Sequence, residues 1–113
     1  MRLKSGIWAA ALVRRAFADG HFAAIERRGA EEAGAIFVRV RHRDGSESIY
    51  GPAPQSLLAD DAQGDRAFEC RCSRVEGGEA DALIERERRF DGDLWVVEIE
   101  LDEPERYLTV ISS

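Results

Sequence analysis

The dipeptide Asp44-Gly45, set between two stretches of strand-like sequence, constrains the fold of this chain more than any other feature. Residues 35–43 alternate between apolar and basic side chains, and this period of two is typical of a strand with one buried face. Asp-Gly favours a two-residue type I′ turn, because both central positions of that turn need positive φ. A loop of this length predicts a β-hairpin in which Val40 lies opposite Ile49, so that this apolar pair shares one face.

Two segments, over about 6–19 and 79–90, have the apolar spacing of helices. Ser5 is suited to be the N-cap of the first helix and Gly20 its C′ residue. Apolar side chains cover most of the circumference of the first helix, so it is either buried on most sides or shares a face with another subunit. The second helix has an apolar stripe made of Ala80, Leu83, Ile84 and Phe90.

Alternation and composition predict strands over 66–74, 93–101 and, as a short final edge, 106–111. Residues 21–28 are ambiguous between helix and strand: their alanines and Glu26 favour a helix, but the segment is short, follows Gly20 and ends at Gly29, so we assign a strand. The connection 51–65 contains Pro52 and Pro54, which exclude a central strand, and Leu57 and Leu58 are expected to anchor it to the core. We expect an α+β fold with a small antiparallel sheet in the order α-β-β-β-β-α-β, with or without the final strand. Two helices pack against this sheet, and one or both cover one face.

The length of 113 residues, with 44% hydrophobic and 34% charged residues, is that of one globular domain, so we expect a single domain over 1–113. The apolar run 6–13 is too short to cross a membrane, and Arg14 and Arg15 interrupt it where a signal peptide would continue. Two cysteines are too few for a disulfide framework. These features predict a cytoplasmic protein that does not associate with membranes.

The net charge of -6 is distributed unevenly along the chain. Residues 1–43 carry a net charge of +5, and residues 44–113 carry -11. This asymmetry predicts that the two parts pair across the fold, whereas the alternative is a basic patch for an anionic partner. The negative total argues against nucleic acids and acidic membranes as partners.

Three arginines form a stripe on one face of the 35–43 strand, with two aromatic residues beside them: Arg39, Arg41, Arg43, Phe37 and Tyr50. Basic residues interleaved with aromatic rings on a sheet are typical of platforms that bind single-stranded nucleic acid. The alternative is an internal charge ladder, because Glu98 and Glu100 share the face of the arginines if strand 93–101 lies beside strand 35–43. The ladder is favoured, since it also accounts for the uneven charge.

The residue types that could bind a metal or act as nucleophile and base are His21, His42, Cys70 and Cys72. The Cys-x-Cys spacing is shorter than that of zinc sites, and on a strand it places both sulfur atoms on one face beside Phe68, as small buried hydrophobic groups. The sequence contains no nucleophile elbow, phosphate loop or dinucleotide fingerprint. We therefore expect no metal, no cofactor and no catalytic residue.

A protein-interaction or regulatory module without catalytic activity is the favoured function, because the apolar first helix and the connection 51–65 are suited to contact a protein partner or a second copy. The candidate interaction surface consists of Trp8, Phe37, Arg39, Arg41, Arg43 and Tyr50. The first alternative is a nucleic-acid-binding platform on the arginine face. The second is small-molecule binding or an enzyme.

Several motifs along the chain resemble one known family. They are Ile-Trp-Ala-Ala-Ala-Leu-Val-Arg-Arg at 7–15, Arg-Arg-Gly at 27–29, Ala-Gly-Ala-Ile-Phe-Val at 33–38, Tyr-Gly-Pro-Ala at 50–53 and Glu-Arg-Glu-Arg-Arg-Phe-Asp-Gly-Asp-Leu-Trp-Val-Val-Glu-Ile-Glu at 85–100. Together they resemble a domain-of-unknown-function family of short proteins found chiefly in alphaproteobacteria. The resemblance spans nearly the whole chain and favours a strand for 21–28. It implies a bacterial cytosolic protein of unknown role, with no catalytic residue to carry over.

Overall fold

Four consecutive strands separate the two α-helices in a computed structural model that describes residues 3–54 and 66–111. In chain order the elements are α1 Ser5–Ala18, β1 Ala23–Arg27, β2 Ile36–Arg41, β3 Glu47–Pro52, β4 Ala67–Val75, α2 Gly77–Phe90, β5 Trp95–Glu100 and β6 Thr109–Val110. A short 3-10 helix over Pro104–Arg106 precedes β6. The predicted α+β class and order of elements are confirmed, including the strand after α1 and the short final strand.

The strands form one sheet in the spatial order β1-β5-β2-β3-β4-β6. Three neighbouring pairs are antiparallel, but β2–β5 and β4–β6 are parallel, so the sheet is mixed rather than purely antiparallel. The chain runs antiparallel through β2, β3 and β4, and then α2 carries it across to β5. Parallel strands need such a crossover, which a helix commonly provides. The crossover inserts β5 between β1 and β2.

The two helices lie on opposite faces of the sheet, whereas the sequence predicted that one face would be covered. On one face, α1 packs against β1 and β5 above a core of strand residues that includes Val38 and Trp95. On the other face, α2 packs against β3 and β4, and Ile84 belongs to one buried cluster with Phe37 and Ile49. Because both faces are covered, the consecutive residues Trp95, Val96 and Val97 are all fully buried.

The β2–β3 hairpin differs from its predicted register by one residue. Arg39 lies opposite Ile49, and Val40 lies opposite Ser48. The loop contains three residues rather than two: the amide of Gly45 donates to the carbonyl of His42 at 3.0 Å, and Gly45 has φ +91°. This is the type I turn followed by a left-handed glycine that three-residue hairpins use. The predicted pairing of Val40 with Ile49 is therefore wrong, because directly opposed residues share a face and a slip of one residue exchanges the faces.

The ends of the helices agree only partly with the sequence signals. Gly20 has φ +89° directly after the C-cap Asp19, as predicted for a C′ glycine. Ser5 does not cap α1 but forms its first turn, where its hydroxyl donates to the carbonyl of Gly34 at 2.6 Å. The apolar stripe of α2 is shorter than predicted, because Phe90 is 88% exposed.

Part of the 51–65 connection belongs to the sheet, since Pro52 is the last residue of β3. The predicted anchors Leu57 and Leu58 lie outside the described residues. Within 3–54 and 66–111, no helix is both long enough and apolar enough to span a bilayer.

Candidate functional site

The six residues of the predicted interaction surface do not lie on one surface. Trp8 and Tyr50 are on the α1 side of the sheet, Phe37 is buried on the α2 side, and Arg43 lies in the hairpin loop. Tyr50 is opposite Val38 and not beside Arg39, because of the register difference in the hairpin. The arginine stripe is thus separated from one of its two predicted aromatic neighbours.

Arg39 is buried at 5% exposure and lies at the centre of a cluster of carboxylates. Its guanidinium is 2.7 Å from Glu47, 2.6 Å from Asp81 and 3.2 Å from Glu26. Burial on its own lowers the pKa of an arginine, but the hydrogen bonds that Arg39 donates to Asp81 and Glu47 outweigh it and raise the pKa of Arg39 above its ordinary value. Arg39 therefore joins β1, β3 and α2 instead of facing solvent.

Arg41 continues the ladder in the direction of the hairpin. Its Nε donates to Glu98 at 2.8 Å across the parallel β2–β5 pair, and its Nη1 is 3.3 Å from Glu47. The pairing of the arginine face with Glu98 is the arrangement that the charge-ladder interpretation required. With Phe37 and Arg39 also buried, the geometry favours the ladder over a nucleic-acid platform.

The two cysteines do not share a face as predicted. Cys70 lies opposite Tyr50, and Cys72 lies opposite Ile49. Tyr50 and Ile49 are neighbours on β3, whereas Cys70 and Cys72 are two residues apart on β4, so β4 contains one extra residue at this point. This β-bulge reverses the side on which Cys72 lies relative to a regular strand. Cys70 is exposed, and Cys72 packs partly buried on the α2 side. The predicted pair of buried sulfur atoms beside Phe68 is therefore wrong.

Burial raises the pKa of both thiols. Burial is also the main reason that the pKa of Tyr50 is raised to about 12, with a further contribution from the neighbouring Cys70. None of these groups is ionised at neutral pH, so none is an activated nucleophile or base there.

His42 is buried directly after β2 and contacts two polar side chains. Its Nε2 is 2.7 Å from Ser48 Oγ, and its Nδ1 is 3.4 Å from Asp102 Oδ1. This order of groups is that of a hydrolase triad. Ser48 is only 1% exposed, however, and its hydroxyl accepts a hydrogen bond from the amide of Arg74 at 2.9 Å, so it cannot reach a substrate. The arrangement instead joins the hairpin to β4 and to the segment after β5.

A cleft of about 580 Å³ lies beside His42, at the ends of β2 and β5. Its walls include His21, Arg41, His42, Arg43, Glu100, Leu101, Asp102, Glu103 and Arg106. The amide of Arg43 donates to Asp102 at 3.1 Å, which is the main reason that the pKa of Asp102 is lowered. The sequence could not indicate this cleft, because it brings together residues from three separated parts of the chain. It gathers two of the four residues considered for chemistry, His21 and His42, but neither cysteine.

Within the described parts of the chain, no group of three or more histidine, cysteine or acidic side chains could hold a metal ion.

A second exposed feature is a set of apolar side chains along α1 and just before β1, which we name the edge patch. It consists of Leu3, Ile7, Phe17 and Phe22, each about half exposed. The rings of Phe17 and Phe22 meet edge to face at 6.2 Å beside β1, which forms one edge of the sheet. The sequence prediction named Trp8 as the aromatic surface residue of α1, but Trp8 is half buried against Phe68. Helical spacing places Phe17 on the outer face and could have identified it.

The fold defines a small three-layer α+β protein with one helix on each face of a mixed sheet. The chain belongs to the family "Protein of unknown function (DUF1491)", whose model matches residues 3–109. The resemblance inferred from the motifs is thus confirmed. No curated protein is similar to the chain.

Several solved structures from this family share the fold. A solution structure of protein Atu0922 from A. tumefaciens is 59% identical with a TM-score of 0.87, and the match covers 100% of this chain and 98% of that one. A crystal structure of a DUF1491 family protein from Caulobacter crescentus is 34% identical with a TM-score of 0.77, covering 98% and 100%. An NMR structure of a DUF1491 family protein from the same organism is 35% identical with a TM-score of 0.79, covering 99% of each chain.

Proposed function

We propose that this chain is a cytosolic interaction module that associates with a second copy of itself through the edge patch and the free edge of β1. The observation that carries the proposal is the exposure of Phe17 at 55% and Phe22 at 46%, side by side at the edge of the sheet. Contiguous exposed apolar side chains at a strand edge favour association, because both the apolar surface and the unpaired backbone groups gain from a partner.

The chemistry of β1 favours a second copy as the partner. The regular part of its pairing with β5 covers Ala23, Ala24 and Ile25, before an irregularity that precedes Arg27. None of these three side chains is charged, so an antiparallel pair around a twofold axis at Ala24 places no like charges opposite each other. The same axis brings Phe22, which directly precedes β1, and its neighbour Phe17 close to β1 of the second copy.

The mass in solution tests this proposal. The monomer has a mass of 12.6 kDa, and we expect light scattering to give twice that value at micromolar concentration. The double variant Phe17→Ser/Phe22→Ser removes four half-exposed rings from a symmetric dimer. At roughly 1 kcal/mol for each ring, association weakens by about 4 kcal/mol, or about a thousandfold.

Phe90→Ser is the matched control, because Phe90 is the most exposed of the described large apolar residues and lies at the end of α2. We expect this variant to remain a dimer. A wild-type protein that stays at 12.6 kDa at every concentration rules out self-association. Equal dissociation of the control and of the double variant rules out the edge patch as the contact.

A further inference from the structure

We propose that the cleft at the ends of β2 and β5 binds a small zwitterion of the free amino acid class, with both a carboxylate and an ammonium group. The volume of about 580 Å³ lies within the range of ligand pockets in proteins. The inference is independent of self-association, because it concerns different residues.

The position of the cleft in the sheet favours a ligand site. β2 and β5 are parallel, and both end at the cleft. Ligands of sheets with parallel strands bind at the carboxyl ends of those strands, where the following loops diverge. Here the loops supply Arg43 after β2 and Leu101 and Asp102 after β5.

The charges of the cleft fall into two groups. Arg41 and Asp102 already interact with other side chains, with Arg41 contacting Glu98 and Asp102 lying near His42. The guanidinium of Arg43 forms no ion pair with the described residues, and that of Arg106 only lies over the ring of Tyr107, 6.0 Å from its centroid.

Two acidic side chains in the same walls are also uncommitted. Within the described ranges, the carboxylates of Glu100 and Glu103 have neither an ion pair nor a side-chain hydrogen bond, and both residues are exposed. The cleft therefore offers two guanidinium groups and two carboxylates. Because these charges balance, a ligand with a net charge gains little, whereas a zwitterion pairs with both signs at once.

A buried polar atom provides an independent indication of a ligand. The side chain of His42 is 3% exposed and lines the cleft, and its Nδ1 lies 3.4 Å from Asp102 Oδ1, in a contact that lacks the geometry of a good hydrogen bond. Buried polar atoms in folded proteins are nearly always satisfied. A ligand oxygen or a water that the ligand orders would satisfy this nitrogen. Leu101 adds an apolar wall for the side chain of the ligand.

The test is an NMR titration of the isotope-labelled full chain with a mixture of the standard amino acids at millimolar concentration. We expect the amide signals of Arg43 and of residues 101–103 to shift. The amino acid responsible is then compared with its deaminated acid and its decarboxylated amine. Each of these carries only one of the two charges, and we expect each to bind roughly tenfold more weakly or worse.

Substitutions separate the two halves of the site. Arg43→Gln and Arg106→Gln should weaken binding of the zwitterion, and so should Glu100→Gln and Glu103→Gln, each by roughly tenfold. Arg86→Gln is the control, because Arg86 is exposed on α2 and outside the cleft. Spectra of the free variants are recorded first, to check that each variant folds.

Three results would overturn the inference. The first is that no amino acid shifts the cleft signals at any concentration used. The second is that the deaminated acid binds as tightly as the zwitterion, which would make the cleft an anion site. The third is that the four cleft variants bind as the control does, which would place the ligand elsewhere.

Discussion

Replacing Arg39 by methionine tests the buried charge cluster that joins both halves of the chain. Methionine keeps much of the length of the arginine side chain but removes its charge and its hydrogen bonds. Glu47 is then left with its side chain 8% exposed, and Arg41 at 3.3 Å is its remaining cation. Asp81 loses its contact at 2.6 Å as well, but its side chain is 65% exposed and becomes hydrated.

The expected cost follows from the burial of Glu47. Removing one partner of a buried ion pair costs about 3–5 kcal/mol, chiefly because the other charge stays buried without a partner. The contact of Glu47 with Arg41 places the expected loss at the lower end, about 3 kcal/mol. Adding Glu47→Gln removes the stranded charge, so the double variant should lose only about 1.5 kcal/mol relative to the wild type.

Urea unfolding followed by circular dichroism measures the four proteins of this double-mutant cycle. Arg86→Gln again serves as the control, since the loss of an exposed arginine should change stability by less than about 0.5 kcal/mol. A cost of less than about 1 kcal/mol for Arg39→Met would show that Glu47 is not left as an unpaired buried charge. Single costs that simply add would show that the charge cluster contributes no coupling.

Three further predictions concern the hairpin, Tyr50 and the cysteines. Gly45→Ala should lower the free energy of unfolding by about 1 kcal/mol, because alanine rarely adopts φ +91°. Gly78→Ala in α2 is the control and should raise it slightly, because a Cβ there meets no neighbouring atom. Urea midpoints that shift in the same direction for both variants contradict this prediction. Burial holds the pKa of Tyr50 at about 12 against 10.0 unfolded, so about 2–3 kcal/mol of stability is present below pH 10 and lost as the pH rises towards 12. Tyr50→Phe should remove the part of that loss that Tyr50 causes, and an unchanged pH profile contradicts the assignment. Because burial raises the pKa of Cys70 and Cys72, a chromogenic disulfide should react more slowly with the folded protein than with the unfolded one, and equal rates would show unperturbed thiols.

The periodicity of the sequence was enough to predict the elements, but not the register between them. Each strand was identified from its own alternation, which is a local property. The register of β2 and β3 depends on whether the loop contains two or three residues, and Asp44-Gly45 fits both. The wrong choice moved Tyr50 to the face of Arg39, and the predicted aromatic platform depended on that placement.

The cleft and the position of Phe22 at the sheet edge could not be predicted for a different reason. His21, His42 and Leu101 meet only because β5 inserts between β1 and β2, and strand order is a long-range property that the pattern of one strand does not contain. The same insertion leaves β1 at the edge and so exposes Phe22. The β4 bulge that separates Cys70 from Cys72 likewise has no glycine or proline to mark it.

The arginine stripe shows how the charge asymmetry of the chain is divided between stability and binding. Arg39 lies under α2 and contacts three carboxylates, Arg41 contacts two, and Arg43 contacts none within the described residues. A ladder extends only as far as its neighbouring strand, and β5 ends at Glu100, level with Arg41. Arg43 lies beyond the end of β5, so no neighbouring strand among the described residues supplies a carboxylate for it, and it lies at the rim of the cleft. The internal ladder thus accounts for the first two arginines, and the proposed zwitterion site accounts for the third.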